Sequence, residues 1–165
     1  MKLQELINGT ELDMTVSHIK AFFLGAMSAE KPMPFHKALE EMLSEIPQAV
    51  KPLETELKNL WDDLQKNKPF ELQNMFPKAE TNKEFLTLAK DQLDFYLTAL
   101  SLAGTNTESC KNEDMAELID ELEDTVMDLD EYTSEDKVDE EEEEGEELKD
   151  SLLEAWQDFL RTASK

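Results

Sequence analysis

Apolar residues recur at three- and four-residue steps along most of this chain, the spacing that gathers side chains on one face of a helix. Val16, Ile19, Phe22, Phe23, Ala26 and Met27 mark a first helix, and Phe35, Ala38, Leu39, Met42, Leu43 and Ile46 a second. Val50, Leu53, Leu57, Leu60, Trp61 and Leu64 mark a third. A fourth turns Phe85, Leu88, Ala89, Leu93, Tyr96, Leu97 and Leu100 inward, with Leu86 and Phe95 broadening its stripe. Met115, Leu118, Ile119, Leu122, Val126 and Leu129 give a fifth, and Leu148, Leu152, Ala155, Trp156, Phe159 and Ala163 a sixth. Period-two alternation of useful length is missing outside these stretches, so no strand is expected. The pattern predicts an all-α fold: a single-domain bundle of about six helices, in hairpins around a central helix over 81–102, with 1–165 forming one domain.

The breaks between stripes are equally legible. Pro32 and Pro34 end the first helix, since each lacks an amide donor and disfavours helix at the preceding residue; Pro34 suits the first turn of the second. Pro47 closes that helix, and Pro52 fits the first turn of the third. Asp13 or Thr15 can cap the first helix, and Thr81 with Glu84 has the spacing of a capping box. Gly104 stops the central helix. Gly25 lies inside the first, where glycine costs stability, and points to a close helix crossing aided by Ala21 and Ala26. The stretch Asn67–Glu80 reads as irregular, yet Phe70, Leu72, Met75 and Phe76 imply that it lies on the core. Met1–Glu11 reads as a short lead-in whose Leu3, Leu6 and Ile7 can dock.

Charge changes the picture at one end. The chain carries 40 acidic and 16 basic residues, a formal net charge of −24. From Asn106 onward there are 24 acidic and 5 basic residues, a net of −19, against 16 and 11 before it. The acidic run Asp139–Glu147 sits in an expected linker over about 132–147, with helix resuming near Val138–Glu141 because a helix N-terminus favours acids. Phosphate backbones are bound by Lys and Arg, so this balance speaks against nucleic acid and anionic membrane as partners, and for a basic protein, a basic peptide or cations. Solubility alone is the plainer reading of the same charge.

The N-terminus lacks the basic-then-apolar design of a signal peptide, and no apolar run approaches the roughly 20 residues that span a bilayer. The lone cysteine, Cys110, excludes an internal disulfide and suits a reducing compartment, so a cytoplasmic location is expected.

Candidate chemistry is sparse. Neither His18 nor His36 has a Glu three residues before it, as di-iron bundles require, and the zinc-protease His-Glu-x-x-His is absent. Asp128-Leu129-Asp130 begins like a calcium loop, but Tyr132 and Thr133 stand where a ligand and a turning Gly are needed. No glycine-rich phosphate loop exists. The aromatics Phe22, Phe23, Trp61 and Trp156 read as core. No cofactor and no metal site is expected.

Three pieces resemble the YecA/YgfB-like family of small all-helical bacterial proteins, whose biochemical role is poorly defined. Ile19–Met27 followed by Met33-Pro34-Phe35 is similar to the family's Leu-His-Gly-Phe-Leu-x-Gly helix and Pro-containing corner. Pro77 and Phe95–Leu100 resemble its Leu-Pro-Asp-Asp corner and Trp-x-x-Gly-Phe-Leu-x-Gly-Leu segment. Asp158–Ala163 looks like its Glu-Tyr-Val-Arg-x-Ala, preceded as there by an acidic linker. Lys20 stands where the family has His, Ala21 and Ala99 where it has Gly, and Phe95 replaces another Gly. The resemblance therefore implies the fold, and through its Arg it draws attention to Arg161.

The functional reading is a non-enzymatic cytoplasmic adaptor or regulator that binds a basic protein through an acidic helical face. Glu140, Glu141, Glu142, Glu143, Glu144 and Arg161 are its candidate partner-binding residues. The rivals are an enzyme with a site the sequence does not announce, and a nucleic-acid mimic that occupies a basic protein's binding site.

Overall fold

The computed structural model describes residues 5, 7, 15–29, 31–44, 50–76, 80–105, 108, 110–134 and 142–163. Among them are seven helices and no strand: α1 (Val16–Ser28), α2 (Phe35–Met42), α3 (Val50–Lys66), α4 (Lys68–Gln73), α5 (Asn82–Leu102), α6 (Glu113–Ser134) and α7 (Glu142–Ala163). The all-α reading holds, and six of these are the periodic stripes. The seventh, α4, lies in the stretch expected to be irregular. Pro69 falls at its start, where the missing amide costs nothing, and six residues are too few to display a period.

Helix α5 is central. It packs against α1 on one side and against α6 and α7 on the other, while α2 and α3 pair with each other and with α1. Flanked twice, α5 buries more than one stripe. Phe85, Leu86, Ala89, Leu93, Tyr96, Leu97, Ala99 and Leu100 are all buried. Leu88, expected inward, is instead exposed.

The α1–α5 crossing is made by small residues. A Cβ on Gly25 would run into the carbonyl oxygen of Tyr96 and come within 2.9 Å of the Ala99 Cβ. Ala21 and Ala26 are fully buried nearby on the same helix. The two segments that carry the family resemblance in this half of the chain, Ile19–Met27 and Phe95–Leu100, are thus packed against each other.

Local signals fix the helix ends. Thr15 caps α1: its hydroxyl accepts from the His18 amide, and His18 Nδ1 accepts from the Thr15 amide, each at 3.3 Å. Thr81 Oγ1 accepts from the Glu84 amide at 3.1 Å to open α5. At its other end Gly104 takes φ +86°, its amide donates to Ser101, and the Thr105 amide donates to Leu100 at 2.8 Å. Those two reversed bonds are a Schellman stop, which needs the left-handed residue that glycine supplies. Asn112 Oδ1 accepts from the Met115 amide and caps α6.

Two aromatic groups anchor the core. Phe23, Phe35 and Trp61 meet edge to face, with Phe23 and Trp61 centroids 5.1 Å apart, and join α1, α2 and α3. Tyr96, Trp156, Phe159 and Phe76 form the second, where Tyr96 and Trp156 lie 4.9 Å apart at 81°. The indole Nε1–H of Trp156 donates to the Leu72 carbonyl at 3.0 Å, which ties α7 to the end of α4. Lys68 Nζ donates to the Met27 carbonyl at 3.1 Å and ties α4 to the end of α1. The stretch after α3 therefore lies on the core as expected through Leu72 and Met75, but Phe70 turns outward. Ile7 of the lead-in is buried in the same core; Leu3 and Leu6 lie outside the described residues.

Both ends of the stretch over about 132–147 expected as an acidic linker belong to helices. Tyr132 is buried and closes α6, which runs to Ser134, and α7 already includes Glu142–Glu147. The expected helix start at 138–141 lies outside the described residues. Among these, no helix is long and apolar enough to cross a membrane.

Candidate functional site

The acidic C-terminal helices form the first candidate surface. Helix α6 buries Met115, Ile119, Leu122 and Leu129, so the opposite face carries Asp120, Glu123, Asp124 and Glu131. In their midst Met127 is 70% exposed. It lies four residues after Glu123, three after Asp124 and four before Glu131, the separations at which helical side chains are neighbours. Among the described residues no Lys or Arg comes within ion-pair distance of Asp120, Glu123 or Asp124. Partial burial, then the charges of Asp120 and Asp124, hold the Glu123 carboxyl above its ordinary range. The helix stores like-charge repulsion around an exposed thioether.

Three described cations make contacts elsewhere. Lys90 bridges α5 to α6 by pairing with Asp130 at 3.3 Å. Lys149 lies over the Phe85 ring, 4.7 Å from its centroid. Arg161 pairs with Asp158, one turn back on the same helix.

Of the residues singled out from sequence, those described lie toward the two ends of α7. Glu142–Glu144 lie in the first turn of α7, and Glu140 and Glu141 outside the described residues. Arg161 is in the last turn of that helix. At about 1.5 Å of rise per residue, it stands about 26 Å from Glu144. The row on α6 belongs to the acidic helical face expected from sequence; the exposure of Met127, an apolar residue off the α6 stripe, is what the structure adds.

A second feature is a cleft of about 190 Å³ where α1, the end of α4 and α5 converge. Ser17, Lys20 and Leu24 line it from α1, with the i, i+3, i+7 spacing of one helical face. Glu71, Asn74 and Met75 line it opposite, and Gln92 reaches it from α5. Gln92 is only 6% exposed, and its Oε1 has no hydrogen-bond partner among the described residues. The Tyr96 hydroxyl is likewise buried without a partner, and burial pushes its pKa up. The Ser28 hydroxyl opposes that shift, but its own proton goes to the Leu24 carbonyl at 2.7 Å.

Other chemical candidates resolve into structural roles. His18 caps α1 and stacks on Phe95 with centroids 4.8 Å apart. Cys110 is half-buried against the core, and its Sγ donates to the Asn112 carbonyl at 3.5 Å. Asp128–Ser134, the false start of a calcium loop, is helical. Among the described residues, no three His, Cys, Asp or Glu side chains are placed to hold a metal ion.

No family model, curated protein or solved structure matches this chain. The likeness to YecA/YgfB-like proteins therefore rests on the residues quoted above.

Proposed function

We propose that this protein is a non-enzymatic cytoplasmic adaptor or regulator that binds a basic protein through its acidic C-terminal helices, and that it is a diverged YecA/YgfB-like chain. The observation that carries the reading is the outer face of α6, where Asp120, Glu123 and Asp124 surround exposed Met127 without a cation within reach among the described residues. A partner presenting Lys or Arg around an apolar residue relieves the repulsion and covers the methionine in one step. The acids of Glu140–Glu144 extend the attracting field, and Arg161 lies at the far end of the same helix. The family's own role is too poorly defined to add an activity.

The test is affinity capture from the native cell at low and high salt, followed by association kinetics with the purified partner. The partner is expected to be basic, and its association rate to fall steeply as salt rises. A partner that binds the D120N/E123Q/D124N variant with unchanged rate and salt dependence would leave the charge with a solubilising role only.

A further inference from the structure

We propose that Met127 is a reversible oxidation site, where a hydroperoxide converts the thioether to the sulfoxide and thereby hastens release of a partner from the acidic face of α6. The reasoning begins with where the sulfur atoms lie. Met127 is 70% exposed, whereas Met27, Met33, Met75 and Met115 are each 8% exposed or less. Met42 is half-buried against the core, and Met1 and Met14 lie outside the described residues. Oxidation of a side chain follows access to its sulfur. Among the described methionines, Met127 is the one that an oxidant in solution meets first.

The step needs one co-reactant. A lone pair on the Met127 sulfur bonds the terminal oxygen of the hydroperoxide as its O–O bond breaks. The transferred oxygen gives up its proton, the departing oxygen takes one up, and hydrogen peroxide leaves as water. The sulfur loses two electrons and the peroxide gains them. Glu123, Asp124 and Glu131 lie one helical turn from Met127 and repel an anionic oxidant, which favours a neutral hydroperoxide. In the return step the sulfoxide oxygen leaves as water while two thiols of a reductase become a disulfide.

An exposed side chain has little packing to lose, so the fold tolerates the change. A bound partner does not. Oxidation leaves the charges of Asp120, Glu123 and Asp124 in place and turns the apolar residue in their midst polar. Association steered by charge is then unchanged, while the apolar contact that slows dissociation is lost. This regulation rests on α6 being the partner-binding face; the selectivity of the oxidation does not.

The experiment treats the full chain, carrying Cys110→Ser to remove the only thiol, with dilute hydrogen peroxide and follows each methionine by peptide mass spectrometry. Met127 is expected to gain one oxygen roughly tenfold or more faster than Met27, Met33, Met75 and Met115, and the rates to converge in urea. Methionine sulfoxide reductases with dithiothreitol are expected to remove that oxygen. The binding probe is a helical Lys/Leu peptide, with a Lys/Ser peptide of equal charge as control. Oxidised protein should release the Lys/Leu peptide about tenfold faster than untreated protein, at an unchanged association rate. Met127→Leu should make that release insensitive to peroxide. Equal oxidation of Met127 and the buried methionines overturns the site. A sulfoxide that the reductases leave in place overturns its reversibility, and equal release of the Lys/Leu peptide overturns the regulation. If untreated protein binds neither peptide, or binds both without regard to the D120N/E123Q/D124N variant, the partner-binding face and its regulation fail together; the mass spectrum alone still decides the oxidation site.

Discussion

Gly25 sits directly beneath the carbonyl oxygen of Tyr96, with no room between them for a side chain. The atom in the way is main chain of the central helix and cannot swing aside. Gly25→Ala therefore sets two effects against each other. Helix propensity gains about 1 kcal/mol, while overpacking against a fixed carbonyl costs about 1–3 kcal/mol and forces α1 away from α5. The second is expected to win, because separating these helices also loosens Ala21, Ala26 and Ala99. For a chain of this size each kcal/mol lost lowers Tm by about 2–4 °C. A thermal melt in which Gly25→Ala matches or exceeds the natural sequence would show that the crossing is looser than described.

Trp156 offers a way to separate a hydrogen bond from a volume. Its indole satisfies the Leu72 carbonyl, which lies in the last turn of α4 and has no intrahelical donor. Trp156→Phe retains a ring beside Tyr96 and Phe159 but leaves that carbonyl unmatched, at a cost of about 1–3 kcal/mol plus a small cavity. Trp156→Ala empties the site and should cost about 3–5 kcal/mol. Urea unfolding of both variants checks the order. Equal losses would mean that the hydrogen bond contributes nothing beyond packing.

These two contacts show where sequence pattern suffices and where it stops. Gly25 was legible as a crossing point because an interior glycine in an apolar helix has few other uses. Trp156 was legible as core from its spacing, but its partner 84 residues earlier was not, since periodicity carries no information about which helices meet. Leu88 misled for the same reason: its place on the stripe is correct, and the neighbours decide which part of a broad stripe is covered. Helix α4 is shorter than two turns and has no period to read. Gln92 carried a usable signal, lying three residues after Ala89 and four before Tyr96 on an otherwise apolar face. The cleft it enters was invisible, because its walls come from three separated segments. The acidic run drew the eye by its density, whereas the described carboxyl that burial and like charges hold above its ordinary range is Glu123, beside Met127.

The Glu123 carboxyl should make stability depend on pH. Burial and two like charges raise its pKa in the folded state above the ordinary 4.5. The native protein thus holds this proton more tightly than the unfolded chain does. Its ionisation is a destabilising contribution at neutral pH, relieved as pH falls through the folded pKa toward the unfolded one. Tm is expected to rise on mild acidification from neutrality toward the glutamate range, and Glu123→Gln is expected to flatten part of that rise. A Tm that falls throughout this window in the natural sequence, or a slope unaffected by Glu123→Gln, would contradict the account.

The acidic face of α6 can be tested for function and stability in one set of variants, because the two predict opposite signs. Exposed carboxylates at i, i+3 and i+4 spacing repel by a few tenths of a kcal/mol per pair. Asp120→Asn, Glu123→Gln and Asp124→Asn together should therefore leave Tm unchanged or raise it slightly, and should do so more at low salt than at high salt. Association with a basic partner should move the other way, slowing as the attracting field is reduced. Met127→Ser separates the remaining contribution. It removes apolar contact without touching charge, so it should hasten dissociation and leave both the association rate and its salt dependence alone. A solubility role for these acids predicts that neither change affects partner binding. A structural role predicts that the triple variant lowers Tm. Gain in stability together with loss of association rate is the pattern that identifies a surface kept acidic for a partner at some cost to the fold.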